Sequence, residues 1–409
     1  MKKYTLLTAV FACSLISAAN SAPQAQWAVQ ISNQKSALIT GKIDSPVVNN
    51  NREKVSYSYK LSTGESLDFK AKPFKAQSRQ YWLDSTGDKL AAGINLPVSG
   101  GETIIRISPL SANKSVKLSA KNIHIKNNGQ LKNIEVFADS TDLKATGAAF
   151  SDQSIALKIN AAAGQLKLII DSSSASTPFV IHVLEKDSPF VLSINANKAS
   201  YKVNQPIRID AGISANNKNR DTTLQGYINR PDGSVLGELN FSKNKDGRYI
   251  AELDALGAQG MAQGLWEVHV FAKSKENNVV IMRDAQTSFA VNLNTAAFSG
   301  KLSLLKNTVN IGVDVAIEGR YEVRGVLMGT NTEGQLKPFA MTMTADWLKV
   351  GENSLALPID AKSTANSGLS APFAIKNVQL TNQTYLAPVQ TVVEGIKLVD
   401  INFSEDLKK

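Results

Sequence analysis

The residues able to do chemistry are few, and their spacing brings none of them together along the chain. Three histidines, His124, His182 and His269, lie in three separate alternating runs, with no H-x-H or H-E-x-x-H spacing. Zinc needs imidazoles converging at fixed separations, so this pattern predicts solvated or half-buried strand histidines and no metal centre. Asp84 and Asp88 flank one turn, and Asp232 and Asp246 mark two others, but no D-x-D-x-D loop frames a calcium ion. No G-x-S-x-G elbow activates a serine, and no P-loop cradles phosphate. Paired carboxylates for glycoside hydrolysis meet only in three dimensions, which keeps a hydrolase or metal-assisted enzyme as the alternative reading. No catalytic residue, metal ligand or cofactor is assigned from the sequence.

Aromatic side chains are the better candidates for binding. Trp27 lies in a polar leader, and Tyr57, Tyr59, Tyr81 and Trp82 lie near a predicted sheet edge. Exposed rings stack on sugar faces and are enriched at protein interfaces. These five form the candidate binding set. Trp266 is assigned to a core instead, and Trp82 has the same alternative, because a sandwich needs large rings between its sheets.

The elements that carry these residues are strands. From Ser193 to Val291, short alternating runs sit between Gly, Asn, Asp and Pro punctuation, roughly one strand every 8–12 residues. Ile207, Ile209, Ala211 and Ile213 share one face, as do Trp266, Val268 and Val270. Arg230-Pro231-Asp232-Gly233 and Asp246-Gly247 supply turns, Pro by presetting φ and Gly by accepting positive φ. The same style runs upstream, through Val55–Tyr59, Ile104–Ile107, Ile155–Ile159 and Phe179–Leu184. It resumes downstream through Val309–Ile317, Tyr321–Met328 and Phe339–Thr344. Asp346-Trp347-Leu348 reads as a short helical turn, and Leu355–Ile359 as an edge strand because Pro358 cannot donate to a ladder. Helical stripes are scarce. The fold class is all-β: tandem antiparallel β-sandwich, immunoglobulin-like modules following a cleaved signal peptide. The expected units are 1–22, the signal peptide; 23–190, an N-terminal β-sandwich with a polar leader; 191–293, an immunoglobulin-like sandwich; and 294–409, a C-terminal sandwich.

The signal peptide follows from Lys2-Lys3, the apolar run Thr5–Ala18 and the small residues up to Ala22. The run is too short to span about 30 Å of hydrocarbon as a helix, and no later stretch reaches ~18 apolar residues. Cys13 lies inside it, so cleavage beyond Cys13 leaves a mature chain without cysteine, disulfide or thiolate chemistry. Lipidation at Cys13 is disfavoured by the bulky Phe11 before it. The expected compartment is periplasmic or extracellular. Formal charge is +10, and loss of Lys2 and Lys3 makes it +8. Lysines such as Lys114, Lys117 and Lys121 are scattered as a solvated strand face, with at most weak attraction to anionic surfaces. No zinc-finger spacing, RNP-type strand or arginine cluster points to nucleic acid.

The Pro231-Asp232-Gly233 turn, the Asp246-Gly247-Arg248-Tyr249 strand entry and Gly264-Leu265-Trp266-Glu267-Val268 resemble bacterial immunoglobulin-like and macroglobulin-type modules. Ala371-Pro372-Phe373 through Leu380 resembles a strand of prokaryotic β-sandwich tail modules, with Ala for the usual Gly and Phe for the usual Tyr. With the run YWLDSTGDKLAAGINLPVSGGETIIRISPL (81–110), the whole chain resembles a family of exported gamma-proteobacterial proteins of unknown function. That resemblance implies an N-terminal β domain followed by immunoglobulin-like modules, and it carries over no catalytic residue. The reading is an exported, non-enzymatic binding or structural protein with a protein or glycan partner on the envelope or a host surface. A further alternative is an accessory, chaperone-like scaffold that works through an open sheet edge.

Overall fold

Wherever apolar residues alternate, the chain is strand. Ile207, Ile209, Ala211 and Ile213 on strand Ile207–Ala215 are 0% exposed, and Trp266, Val268 and Val270 on Gly264–Glu276 are at most 1% exposed. Gly233 and Gly247 close their turns at φ 84° and 74°, the region that only glycine enters freely. A computed structural model describes residues 23–399 except 32–37, 40–42, 44–46, 66, 70–72, 111–117, 148–150, 152, 172–174, 204, 255–261 and 263. The expected signal peptide lies outside the described residues. The described chain is all-β, with only short helical pieces at Gly87–Ala92, Ala120–Asn122, Ser140–Ala145 and Ala361–Ala365. Asp346–Leu348, expected as a helical turn, instead completes strand Leu336–Leu348. No described helix is long and apolar enough to cross a membrane.

Three sandwiches each enclose a core. In the first, a five-stranded sheet from Gln80–Thr86 to Val136–Ala138 faces a four-stranded sheet across Tyr81, Ile105, Leu157, Leu168 and Phe179. In the second, six- and five-stranded sheets close over Tyr201, Trp266 and Phe289. In the third, a three-stranded sheet ending in Gly351–Pro358 packs across Phe298, Val313, Tyr321 and Ile375. It faces a seven-stranded sheet whose main order is Gln24–Trp27, Ile396–Val399, Ser370–Asn382, Gly319–Thr330, Leu336–Leu348, Val55–Lys60. Pairing is antiparallel except where Ser200–Lys202 runs parallel to Val279–Asn292.

Strand pairing divides the leader differently from the 23–190 unit expected from sequence. Gln24–Trp27 and Val55–Lys60 extend the two ends of the third sandwich's large sheet, while Ala76–Ser78 joins the second sandwich. Short strands with little apolar surface cannot form a sheet alone, so they complete the edges of larger ones. From Gln24 to Val399 the described chain therefore leaves the third sandwich, passes through the second, builds the first, and returns through the second to the third.

The first two sandwiches meet at a buried polar seam. Arg283 and Glu185, each 1% exposed, pair at 2.7 Å. Arg283 also donates to the Phe190 carbonyl at 3.0 Å and to Ser188 Oγ at 2.7 Å. Ser99 Oγ donates to Glu185 at 2.7 Å. Two charges this far from water persist only when paired and hydrogen-bonded, and both conditions are met.

Candidate functional site

The site grows from the outer face of the seven-stranded sheet. Strand Val55–Lys60 forms one edge, and its alternation turns Tyr57 and Tyr59 to the same side, 46% and 44% exposed, with ring centroids 6.3 Å apart. Register sets Tyr57 against Met343 and Tyr59 against Met341. It then sets Met343 against Arg324 and Met341 against Val326. Beyond those, Arg324 faces Gln379 and Val326 faces Lys376. Two rings and two methionines thus lead inward to a polar cluster.

A β-bulge makes the concavity. Arg324 to Val326 is two steps, while their partners Gln379 and Lys376 are three steps apart, so strand Ser370–Asn382 carries an extra residue. Asn377 sits there at φ 51°, a left-handed conformation that asparagine tolerates better than most residues. Opposite it, Gly325 permits close approach: a Cβ there would lie 2.5 Å from Ile375 Cγ2. The result is a cleft of about 150 Å³ lined by Arg324, Gly325, Val326, Met341, Asn377 and Gln379. One flank is closed by Leu61, Leu67 and Phe69, which pack on Val326, Met328 and Ala374. A wider hollow of about 510 Å³ opens where the edge strand ends, beside Lys60, Leu61, Ser62, Thr63, Asn366 and Ser367.

The charges around the cleft are already answered. Arg324 Nε donates to Gln379 Oε1 at 2.9 Å and lies 3.8 Å from Glu322. Lys376 pairs with Glu394 at 2.8 Å, and that hydrogen bond holds the Glu394 carboxyl below its usual range. Asn377 differs: its Oδ1 is buried and has no hydrogen-bond partner. An acceptor packed away from the cleft in this way costs about 1–3 kcal/mol.

Of the five aromatic candidates, the structure brings Tyr57 and Tyr59 to this face and distributes the others. Trp27 is half-buried on the far edge strand, tilted against Phe298 with centroids 5.1 Å apart. Tyr81 is a correction: it is 0% exposed in the first core, and its hydroxyl donates to the Pro97 carbonyl at 2.8 Å. Burial, with Glu185 nearby, pushes that phenol well above its usual range. Trp82, next along the strand, faces outward and is 37% exposed. It stacks on His182 at 4.0 Å, with the Arg106 guanidinium 4.9 Å from the indole centre. Burial first, then Arg106, pushes His182 down to about 4. His124 contacts Asp171 at 3.3 Å, and His269 stacks on Tyr227 at 4.8 Å. Among the described residues, no three His, Cys, Asp or Glu side chains group to hold a metal.

Arg324, Asn377 and Gln379 escaped the sequence reading. A signal for them exists. The buried positions Phe373 and Ile375 are two apart, but the next, Val378, is three further on, and Asn377 falls in the gap. A strand whose period slips by one residue at an asparagine is a bulge.

Comparison with known proteins places this architecture. Residues 46–185 match the domain of unknown function (DUF4785) N-terminal domain, and residues 295–399 match the DUF4785 C-terminal domain. The chain belongs to the DUF4785 family. A crystal structure of a DUF4785 family protein from Legionella pneumophila superposes with TM-score 0.63 at 18% identity, over 88% of this chain and 97% of that one. The two therefore share a fold. Trypsin-activated alpha-2-macroglobulin from Escherichia coli aligns at TM-score 0.22 and 12% identity, over 69% of this chain and 21% of that one. No curated protein matches the chain.

Proposed function

We propose that this DUF4785 protein is an exported, non-enzymatic binding protein that holds its partner on the outer face of the seven-stranded sheet. One observation carries the reading: two half-exposed tyrosines stand side by side on the edge strand, next to a cleft in the same face. Rings of this kind anchor protein and carbohydrate interfaces. The partner class is a protein or glycan of the envelope or of a host surface, reached from the periplasm or the medium after removal of residues 1–22. The edge position of Val55–Lys60 supports a second reading, in which an extended segment of another exported protein adds to that strand.

Fractionation of a native culture, then crosslinking in the fraction that holds the protein, tests both. Replacing Tyr57 and Tyr59 with serine is expected to cut partner capture at least tenfold while leaving the melting profile unchanged. Capture that survives loss of both rings favours strand addition. Cleavage of a glycan or peptide library by the purified protein overturns the binding reading.

A further inference from the structure

We infer that the free edge of Val55–Lys60 pairs with the same edge of a second copy of this chain, joining two seven-stranded sheets across a two-fold axis. This goes beyond the proposed binding face and does not depend on it.

An open strand edge is a row of unpaired N–H and C=O groups that another strand can take up, and chains normally guard it with a bulge, a charge, a proline or brevity. Among the described strands, the other long edges carry such guards. In the three-stranded sheet, Ala296–Leu305 is bulged between Phe298 and Leu302 and carries Lys301, while Gly351–Pro358 carries Glu352 and ends on Pro358. In the first sandwich, edge strand Gln80–Thr86 has its Trp82 N–H answered by Asp284 Oδ2. The far edge of the seven-stranded sheet, Gln24–Trp27, is only four residues long. Val55–Lys60 differs from all of these. It runs in unbroken register with Leu336–Leu348, contains no proline and is uncharged until Lys60. Ser56, Tyr57, Tyr59 and Lys60 are exposed. Such an edge is built to be covered.

Hydrogen bonding fixes which residues face it. Leu61, one step past the Lys60–Ala340 pair, donates its N–H to the Phe339 carbonyl at 2.8 Å. Opposed pairs in an antiparallel ladder alternate between bonded and non-bonded, so Val55, Tyr57 and Tyr59 direct their backbone groups at Leu336–Leu348. Ser56, Ser58 and Lys60 direct theirs at the open edge. Directly opposite residues share a face, so a two-fold axis through the joined sheet must pass through a residue. Two positions keep most of the strand paired. An axis at Tyr57 sets Lys54 against the partner's Lys60, twice, and like charges directly opposite are destabilising. An axis at Ser58 sets Ser58 against the partner's Ser58 and Lys60 against the partner's Ser56, all residues with outward N–H and C=O groups. On the other face it sets Tyr57 against the partner's Tyr59 and Val55 against the partner's Leu61, an apolar ladder with four tyrosines at its centre. Lys54 then comes beside the partner's Ser62–Glu65 turn, which supplies a carboxylate. Charge therefore selects Ser58. Reversed about that residue, the edge is its own complement, and the symmetry closes the assembly at two copies.

The test uses the protein from residue 23 onward, which contains no cysteine. Sedimentation equilibrium is expected to show a dimer at micromolar concentration. Opposed residues that exchange both backbone bonds have Cα atoms ~5.5 Å apart, inside the ~4.4–6.8 Å that a disulfide spans. Ser58→Cys is therefore expected to give a disulfide-linked dimer under mild oxidation. Ser56→Cys is expected to stay unlinked, because its counterpart lies four positions along the partner strand, ~14 Å away. Ser58→Pro removes the N–H at the axis, and an edge strand tolerates proline where that N–H faces outward. It is expected to weaken dimerisation about tenfold or more, since the axis doubles the lost bond, with an unchanged circular-dichroism spectrum. A monomer throughout, equal linking of the two cysteine variants, linking of Ser56→Cys alone, or a dimer indifferent to Ser58→Pro overturns the inference. If the protein is monomeric while partner capture still needs Tyr57 and Tyr59, the binding face stands and the two-fold pairing falls. If the Ser58→Cys dimer forms and no partner is captured, the pairing stands and the binding face falls.

Discussion

Asp284 accepts a hydrogen bond from the Trp82 backbone at 2.7 Å, across the contact between the first and second sandwiches. Burial there raises its pKa from 3.8 to about 6, opposed in part by that bond and by Arg283. The folded state therefore holds this proton more tightly than the unfolded chain does. Its contribution to stability is complete below about 3.8 and is lost as pH rises through about 6. Asp284→Asn keeps an acceptor for Trp82 and never ionises. It is expected to raise stability at pH 7–8 by about 2–3 kcal/mol and to match the parent near pH 4. His182, stacked on the same indole, works in the opposite sense. Its pKa is lowered to about 4, so its contribution is present above 6.5 and is lost as pH falls through about 4. Subtracting the two melting curves at each pH cancels His182 and leaves Asp284. A variant no more stable than its parent at pH 8 would show that water reaches the carboxylate. The same strand shows what single residues disclosed in advance. Gln80, Trp82 and Asp84 share one face while Tyr81 shares the other with Leu83, so the inward turn of Tyr81 was legible two residues downstream.

At the scale of elements, the strands themselves were readable because period-two alternation is a local property. Their partners were not. Val55–Lys60 pairs with Leu336–Leu348, and Gln24–Trp27 with Ile396–Val399, across separations that leave no mark in any short window. The cleft fell in the same gap. Tyr57 and Tyr59 were visible as aromatic residues in a strand, but Arg324 joins their face only through two successive ladders and Gln379 through three. The Gly319–Thr330 strand also carries a constraint that its sequence hides, since glycine in a strand reads merely as weak. Here Gly325 lets the bulged strand approach, and a methyl at that point would sit 2.5 Å from Ile375 Cγ2 and 3.4 Å from the Lys376 carbonyl. Gly325→Ala is expected to destabilise the protein by about 1–3 kcal/mol through overpacking. It should also move the Asn377 bulge, so ligand affinity falls with stability. Denaturant midpoints measure the first effect, and unchanged midpoints would mean that the core on that side has room the geometry does not show.

At the scale of the whole molecule, the units matched by sequence are not the units that fold. The N-terminal family match starts at residue 46 and so includes Val55–Lys60, which pairs with the third sandwich. The C-terminal match, residues 295–399, omits both that strand and Gln24–Trp27. A fragment confined to 294–399 therefore loses both edge strands of its large sheet, and Phe298 loses the indole of Trp27 from 5.1 Å away. Residues 76–293 keep two complete cores and the buried Arg283–Glu185 seam between them. The expectation is asymmetric. The 76–293 fragment should unfold cooperatively on its own, because both of its core clusters are built from its own residues. The 294–399 fragment should lack a cooperative transition and associate through its open edges. Adding a peptide of residues 23–60 in trans should restore a folded signal, read from Trp27 fluorescence and near-ultraviolet circular dichroism, in a saturable way. Completing the third sheet pairs Gln24–Trp27 with Ile396–Val399, so the intact protein should refold slowly, as chains dominated by distant pairings do. A 294–399 fragment that melts cooperatively at the midpoint of the intact protein would mean that the leader strands decorate the third sandwich without completing it.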